Sequence, residues 1–193
     1  MRGFSPPLTL GRILRDGNRA SDVVGRIRAL IKKAPLQKDG LEINDVILEI
    51  VALTHGEAAK NGVSVRTQLA ATLPLVQGDR VQLQQVMLNL IINAVEAMRS
   101  LHDGAREMLI STAKAEPEGV FVAVRDSGPG LAQGSVERVF DAFYTTKPGG
   151  LGMGLSICRS IIDAHGGRLW VDASEPHGAI FKFTLPAHSV DAA

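Results

Sequence analysis

The chain has 193 residues, of which 45% are hydrophobic and 21% are charged, and its formal net charge is +1. This length suits one compact domain with an appendage, which needs no disulfides, and the single cysteine excludes an internal one. No apolar run reaches the roughly 18 residues of a membrane span and the N-terminus lacks a signal peptide's apolar stretch, so we expect a cytoplasmic chain without membrane contact.

The first 38 residues are basic and helical in pattern. They carry nine Lys or Arg and two Asp or Glu, a net +7, which leaves −6 for the rest. No DNA-reading motif follows, so we expect a solvated helix face or a docking surface for an acidic protein and no nucleic acid partner. A helix over residues 9–33 has the heptad pattern of a helix that packs on a partner helix, the alternative being packing on its own domain. The seam consists of Leu10, Ile13, Gly17, Ala20, Val24, Ile27 and Ile31.

The remaining pattern predicts interleaved helices and strands after a linker over residues 34–40. Helices are predicted over residues 42–60, 79–100 and 155–165. Strands are predicted over residues 63–69, 108–114, 120–126, 168–172 and 179–185, and residues 127–148 are mostly loop. This irregular order predicts an α+β fold, a mixed sheet with helices on one face.

The long predicted helix carries a polar stripe on an otherwise apolar surface. At about 100° per residue, the stripe consists of Gln82, Gln85, Asn89, Asn93 and Glu96. A helix that is apolar nearly all round is buried, and buried amides need partners. The stripe therefore faces either a polar network within the protein or a ligand, such as phosphate oxygens or a magnesium ion that keeps several of its waters.

Asp126 ends a predicted strand and is followed by Ser-Gly-Pro-Gly. A carboxylate there can accept a hydrogen bond from the exocyclic amine of adenine, and Gly128 and Gly130 let the backbone approach a flat ring. An ordinary turn has the same sequence. A second set of glycines downstream favours the ligand over the turn.

That second set consists of Gly150, Gly152 and Gly154. These glycines run into a predicted helix, whose N-terminus and free N–H groups stabilise phosphates. Thr145, Thr146 and Lys147 lie just upstream and offer hydroxyls and an ammonium group, although a solvated loop has the same composition. No strand immediately precedes the glycines, which excludes a dinucleotide-binding Rossmann site. No P-loop sequence is present either.

The four motifs occur in a fixed order, at residues 89–93 (NLIIN), 126–130 (DSGPG), 140–147 (FDAFYTTK) and 150–155 (GLGMGL). They resemble the N, G1, F and G2 boxes of the sensor histidine kinase ATP-binding domain, a fold shared with Hsp90, MutL and gyrase B. The resemblance covers residues 9–186. It implies the Bergerat ATP-binding fold, a two-layer α/β sandwich, preceded here by a long N-terminal helix.

This resemblance implies ATP and Mg²⁺ as cofactors. It assigns Asn93 to the magnesium ion and Asp126 to the adenine amine, whereas Asn89 and Lys147 would contact ATP and serve in catalysis. The other residues that we expect to contact ATP are Glu96, Gly128, Gly130, Thr145, Thr146, Gly150, Leu151, Gly152, Met153, Gly154, Leu155 and Thr184.

The resemblance also divides the chain into domains. Residues 1–38 correspond to part of a dimerisation and phosphoacceptor hairpin with its linker, 39–187 to the ATP-binding domain, and 188–193 to a tail. None of the five histidines has the sequence context of a phosphoacceptor. We therefore expect a piece of a longer, dimeric kinase, which binds ATP without phosphorylating itself and whose parent is compatible with a membrane anchor. Its partners would be the parent's phosphoacceptor helix and a response regulator.

Two other functions are open on the same fold. ATPases of the Hsp90 or MutL type use a glutamate where Asn89 stands, so ATP hydrolysis by this chain would be very slow. The other function is a nucleotide-regulated interaction module without kinase activity. The presence of all four boxes argues against a decayed nucleotide site.

Overall fold

The computed structural model of the protein describes residues 39–99, 101, 104–131, 134–146 and 150–188. The heptad helix predicted over residues 9–33, most of the predicted linker, Lys147 and residues 189–193 lie outside the described residues. The described residues belong to one compact unit.

Three helices and seven strands make up the described ranges. In chain order they are β1 (Asp39–Leu41), α1 (Ile43–Lys60), β2 (Ser64–Gln68), β3 (Val76–Gly78), α2 (Arg80–Arg99), β4 (Glu107–Ala115), β5 (Gly119–Asp126), α3 (Gly154–Ala164), β6 (Arg168–Ala173) and β7 (Ala179–Pro186). Among these described helices, none combines the length and the apolar character that crossing a bilayer requires.

Five strands form one mixed sheet in the order β2-β4-β5-β7-β6. β2 runs parallel to β4, and the other neighbouring strands are antiparallel. β2 and β6 are therefore the two edge strands. The mixed sheet and its helices confirm the α+β class that the sequence predicts.

A second, two-stranded sheet pairs β1 with β3 and was not predicted. Asp39 and Gly40 lie in β1, although the sequence predicts the end of a linker there. Three-residue strands are too short to show an alternating pattern, which explains the error. His188, assigned to the tail, also contacts this region, because its N–H donates to the carbonyl of Leu75.

One face of the five-stranded sheet forms the core. Along β7 every second residue is buried, from Ala179 to Leu185. Val122 of β5 stands opposite Phe183 in the same layer. α2 buries eight side chains, including Leu90 and Ile91, in the same core. Each large apolar side chain buried here contributes roughly 1.5–3 kcal/mol, and this packing holds α2 in place.

His165 joins the end of α3 to the start of α2. Its Nε2 accepts the backbone N–H of Asp79 at 3.0 Å, and its Nδ1 lies 2.7 Å from the carbonyl oxygen of Ile161. Since Nε2 accepts, Nδ1–H donates and the imidazole is neutral. The side chain of Asp79 caps α2 by accepting the N–H of Gln82 at 3.1 Å. The ring therefore fixes the residue at which α2 begins.

His165→Leu is expected to lower the free energy of unfolding by about 1–3 kcal/mol, because the N–H of Asp79 loses its acceptor. Urea denaturation measures this. His55→Leu, at an exposed position of α1, is the control and should change stability by roughly 0.5 kcal/mol or less. Equal unfolding free energies of the two variants would contradict the role assigned to His165.

An exposed carboxylate links α1 to α2. Glu49 accepts hydrogen bonds from the guanidinium of Arg80 and, at 2.7 Å, from the amide of Gln84. These bonds, that of Arg80 first, hold the pKa of Glu49 below its ordinary value. Their contribution is present at neutral pH and is lost as the pH falls through the lowered pKa. It is small, since the pair is exposed.

Candidate functional site

The amide stripe of α2 meets the first residue of α3. Asn89 and Asn93 lie half-buried, one turn apart, beside the buried positions Leu90 and Ala94. A Cβ built on Gly154 would stand 4.0 Å from Nδ2 of Asn93. A ligand at this junction is therefore within reach of a carboxamide and of the N–H groups of the first turn of α3, which favour anions.

Asp126 lies at the end of β5, where its side chain is almost fully buried (3% exposed). Its Oδ1 accepts the N–H of Gly128 at 2.8 Å. A Cβ on Gly128 would stand 2.7 Å from that oxygen and 3.3 Å from the Cβ of Ala97, one turn beyond Asn93 on α2. Only glycine fits in the narrow space between the carboxylate and α2, which we call the cradle. Glycine at position 128 thus lets the backbone of the turn lie close to both the carboxylate and α2.

Two hydroxyl bonds fix the turn after Asp126. Ser127 Oγ donates to the carbonyl of Ala105 at 2.9 Å and accepts the N–H of Glu107 at 2.9 Å. The start of β4 therefore holds this turn in place. Because the turn packs against two rigid elements, α2 and β4, the carboxylate of Asp126 and the glycine at position 128 keep their relative positions.

The hairpin between β6 and β7 closes the far side of the turn. A Cβ on Gly130, whose φ is +79°, would stand 3.1 Å from the carbonyl oxygen of Gly178. One on Gly178 would stand 2.0 Å from the carbonyl oxygen of Asp126. Gly178 is thus a site residue that the sequence reasoning missed, because a glycine at a hairpin tip has an ordinary explanation.

The F-box segment contacts the glycines that precede α3. The N–H of Phe143 donates to the carbonyl of Gly152 at 3.0 Å. A Cβ on Gly152 (φ +64°) would stand 2.6 Å from the carbonyl oxygen of Tyr144. Thr145 and Thr146 follow directly and are exposed. The threonines and the glycines are therefore brought to the same end of α3 as Asn93.

Of the predicted ATP residues that the structure describes, all but Thr184 lie in this one region. Around Gly154, Met153 is buried, Leu155 is half-buried, and Gly150 and Leu151 are exposed. Glu96 is exposed on α2. Thr184 lies apart: it stands opposite Phe121 on β5, five residues from Asp126, which is roughly 16 Å at the rise of a strand. The β7 residues near Asp126 are at the other end of that strand.

The residues present fit an adenine nucleotide with a magnesium ion. An adenine ring beside Asp126 would donate a hydrogen bond from its exocyclic amine to the carboxylate. Phosphates would lie between Asn93 and the start of α3, and the carboxamide oxygen of Asn93 would supply one ligand to Mg²⁺. Asn89, one turn earlier, would face the phosphates.

Residues 78–189 match the family described as histidine kinase-, DNA gyrase B- and HSP90-like ATPases. The match covers more than half of the chain. The chain belongs to this family. Its curated relatives place it more closely: it is the ATP-binding catalytic module of a sensor histidine kinase. The resemblance of the four motifs is thereby confirmed.

Two curated relatives, a sensor histidine kinase and a sensor protein, align with nearly the whole chain. The sensor histidine kinase TmoS of Ectopseudomonas mendocina is 34% identical over 178 residues, which are 92% of this chain and 18% of that protein. The sensor protein FixL of Bradyrhizobium diazoefficiens is 38% identical over 193 residues, 97% of this chain and 38% of that protein. The chain thus spans well under half the length of these relatives.

Solved structures of histidine kinases share the fold of this module. The nucleotide-free catalytic domain of histidine kinase ThkA is 32% identical with a TM-score of 0.69, covering 78% of this chain and 96% of that domain. ThkA in complex with response regulator protein TrrA is 29% identical with a TM-score of 0.77, covering 95% of this chain and 53% of that one.

Proposed function

We propose that this kinase module transfers the γ-phosphoryl group of Mg·ATP to a histidine nitrogen of its parent protein, outside residues 1–193. The observation that carries the proposal is the meeting of Asn93 with Gly154, next to the buried carboxylate of Asp126. Phosphoryl transfer needs little covalent chemistry from the protein and depends on positioning and charge stabilisation. Rigid elements supply the positioning here.

Three side chains have distinct roles in this reaction. Asp126 selects adenine, Asn93 holds Mg²⁺, and Asn89 orients the phosphates toward the acceptor. When bound, Mg²⁺ neutralises charge on the phosphate oxygens. An asparagine at position 89 cannot act as a general base for water, because a carboxamide does not take up a proton at neutral pH. The site therefore favours transfer to an acceptor over hydrolysis.

The remaining phosphate contacts are proposed for the segments that flank α3. Thr145, Thr146 and Lys147 would donate to phosphate oxygens from the F-box side. Gly150, Gly152 and Gly154 would present backbone N–H groups from the other side, where a side chain at Gly152 has no room. Lys147 would also stabilise the charge that develops in transfer.

The partners follow from the reaction. A phosphohistidine needs an acceptor, and the ThkA relative was crystallised with a response regulator, so we assign a response regulator to the parent of this module. We also assign a homodimeric parent, whose phosphoacceptor helix presents the histidine, and a cytoplasmic location, where ATP is available.

Asn93→Ala is expected to weaken Mg·ADP binding about 5- to 100-fold, the range expected for losing one polar partner of a buried charge. Isothermal titration calorimetry measures the affinity. Repeating the titration with EDTA isolates the metal, because the effect of the substitution should shrink when Mg²⁺ is removed.

Gln84→Ala is the matched control. It truncates an amide on the same helix, nine positions earlier, where the side chain bonds to Glu49. It should leave the affinity for Mg·ADP unchanged. An equal loss in both variants, or a loss at Asn93 that persists in EDTA, would contradict the magnesium role.

Incubation with γ-labelled ATP distinguishes a kinase module from an ATPase. We expect neither acid-labile, alkali-stable label on the chain itself nor appreciable release of phosphate. Rapid Mg²⁺-dependent release of phosphate would favour an ATPase of the gyrase or HSP90 type. Binding of nucleotide without turnover, followed by transfer when the full-length parent is supplied, supports the kinase.

A further inference from the structure

Tyr144 is anchored by its side chain, just before Thr145 and Thr146. Its hydroxyl donates to Oγ of Ser135 at 2.9 Å, and Ser135 is buried. The guanidinium carbon of Arg138 stands 4.7 Å from the centroid of the Tyr144 ring, a distance typical of a cation–π contact. The backbone N–H of Tyr144 donates to the carbonyl of Asp141 at 3.2 Å. Three independent contacts therefore fix this residue.

The short segment that holds Ser135 and Arg138 is itself ordered by backbone bonds. The N–H groups of Arg138 and Val139 donate to the carbonyl of Ser135 at 3.0 Å and 2.9 Å. Val139 and the next residue, Phe140, are buried in the core. The anchor of Tyr144 is therefore connected to the core of the domain and not to an exposed loop.

The residue before Tyr144 has an unusual backbone. Phe143 has a φ of +69°, the one non-glycine residue with positive φ in the described ranges. Such a conformation costs roughly 1–3 kcal/mol and persists only where the surroundings impose it. Its side chain is 74% exposed, so packing of the ring does not impose it. The restraints are the bond from its N–H to Gly152 and the anchored Tyr144 on its other side.

A continuous series of contacts leads from this anchor to the nucleotide site. The backbone of Tyr144 packs against Gly152, two residues before Gly154, which neighbours Asn93. We propose that Tyr144 is a positioning residue: through its bond to Ser135 it sets the place of Gly152, and thereby of the phosphate-binding N–H groups, relative to Asn93. This inference rests on the proposed function of the site.

A purely structural role would have a different signature. If Tyr144 only stabilised the fold, removing its hydroxyl would lower the melting temperature and leave nucleotide affinity unchanged wherever the protein is folded. A positioning role predicts a loss of affinity under those conditions. It also predicts that Tyr144 and Ser135 act as one unit, because either substitution removes the same hydrogen bond.

Tyr144→Phe keeps the ring over Arg138 and removes only the hydroxyl. At a temperature where every variant is folded, we expect its affinity for Mg·ADP to fall about fivefold, the scale of one hydrogen bond. Ser135→Ala should cause a similar loss, and the double variant should lose no more than either single one. Calorimetry of the four proteins gives the coupling directly.

Thr112→Val is the control for lost stability. The Thr112 hydroxyl accepts the N–H of Ala70 at 2.9 Å and donates to Asn44 at 3.0 Å, so its removal also breaks two partly buried hydrogen bonds. This variant should melt at a lower temperature and bind Mg·ADP with unchanged affinity. Unchanged affinity in Tyr144→Phe, or additive losses in the double variant, would overturn the inference. Absence of binding by the unsubstituted chain would instead overturn the proposed function.

Discussion

Asp126→Asn is expected to weaken Mg·ADP binding about 5- to 150-fold, which corresponds to ~1–3 kcal/mol. The Oδ1 that accepts the N–H of Gly128 has an equivalent in asparagine, so the turn is retained. The second oxygen becomes an NH₂ group, which would face the adenine amine donor to donor. Because the site is buried, water does not compensate for this mismatch. Calorimetry measures the affinity, and circular dichroism checks the fold.

Asp172→Asn controls for the loss of one negative charge. Asp172 is an exposed residue of β6 and forms an ion pair with Lys182 at 2.7 Å. The substitution changes the net charge by the same amount as Asp126→Asn, on another part of the sheet. It should leave nucleotide affinity unchanged and alter stability by about 1 kcal/mol at most. Full affinity in Asp126→Asn would exclude recognition of adenine by this carboxylate.

Gly178→Ala is expected to lower the free energy of unfolding by roughly 3–5 kcal/mol, through backbone strain and steric overlap together. Gly178 has a φ of +112°, and a Cβ there would stand 2.0 Å from the carbonyl oxygen of Asp126. Both backbone segments are held, because Asp126 pairs with Met108 of β4 and the carbonyl of Gly178 accepts the N–H of Ser174 at 3.1 Å. Relief requires the hairpin to move from Asp126, so the remaining folded protein should also bind Mg·ADP more weakly. Chemical denaturation and calorimetry measure the two effects.

Gly56→Ala is the matched control with the opposite sign. Gly56 lies within α1, and a Cβ there would meet nothing within 4 Å. Alanine has the higher helix propensity, so this variant should be more stable by about 0.5–1 kcal/mol and bind nucleotide normally. A similar response of both variants would show that the space around Gly178 is not the cause.

The sequence predicts the long elements well, because their periodicity extends over several turns. The polar stripe of α2 is an example: one helix had to carry Asn89 and Asn93 at its surface between buried positions. The sequence could not reveal that Gly154 lies beside Asn93, because the two residues are 61 positions apart in the chain. The order of the motifs predicts that they share a site, whereas only the fold gives their contacts.

Two kinds of site feature escape such reasoning. Ala97 and Gly178 shape the cradle by being small, and small residues carry no chemical signal of their own. Ala97 could have been found, because it follows Asn93 by one turn on the polar stripe. For Thr184, the sequence predicts the strand that carries it but not its register, which places it five residues from Asp126 along the sheet.

The two edge strands bear on the behaviour of this module at high concentration. Open sheet edges can pair with strands of other molecules and start aggregation. β2 has Arg66 at its centre, paired with Glu107, and exposed polar residues after it. β6 carries Arg168 and Asp172 at exposed positions. Neither of these two edges is a long, uncharged apolar strand, so neither offers a ready template for sheet growth between molecules.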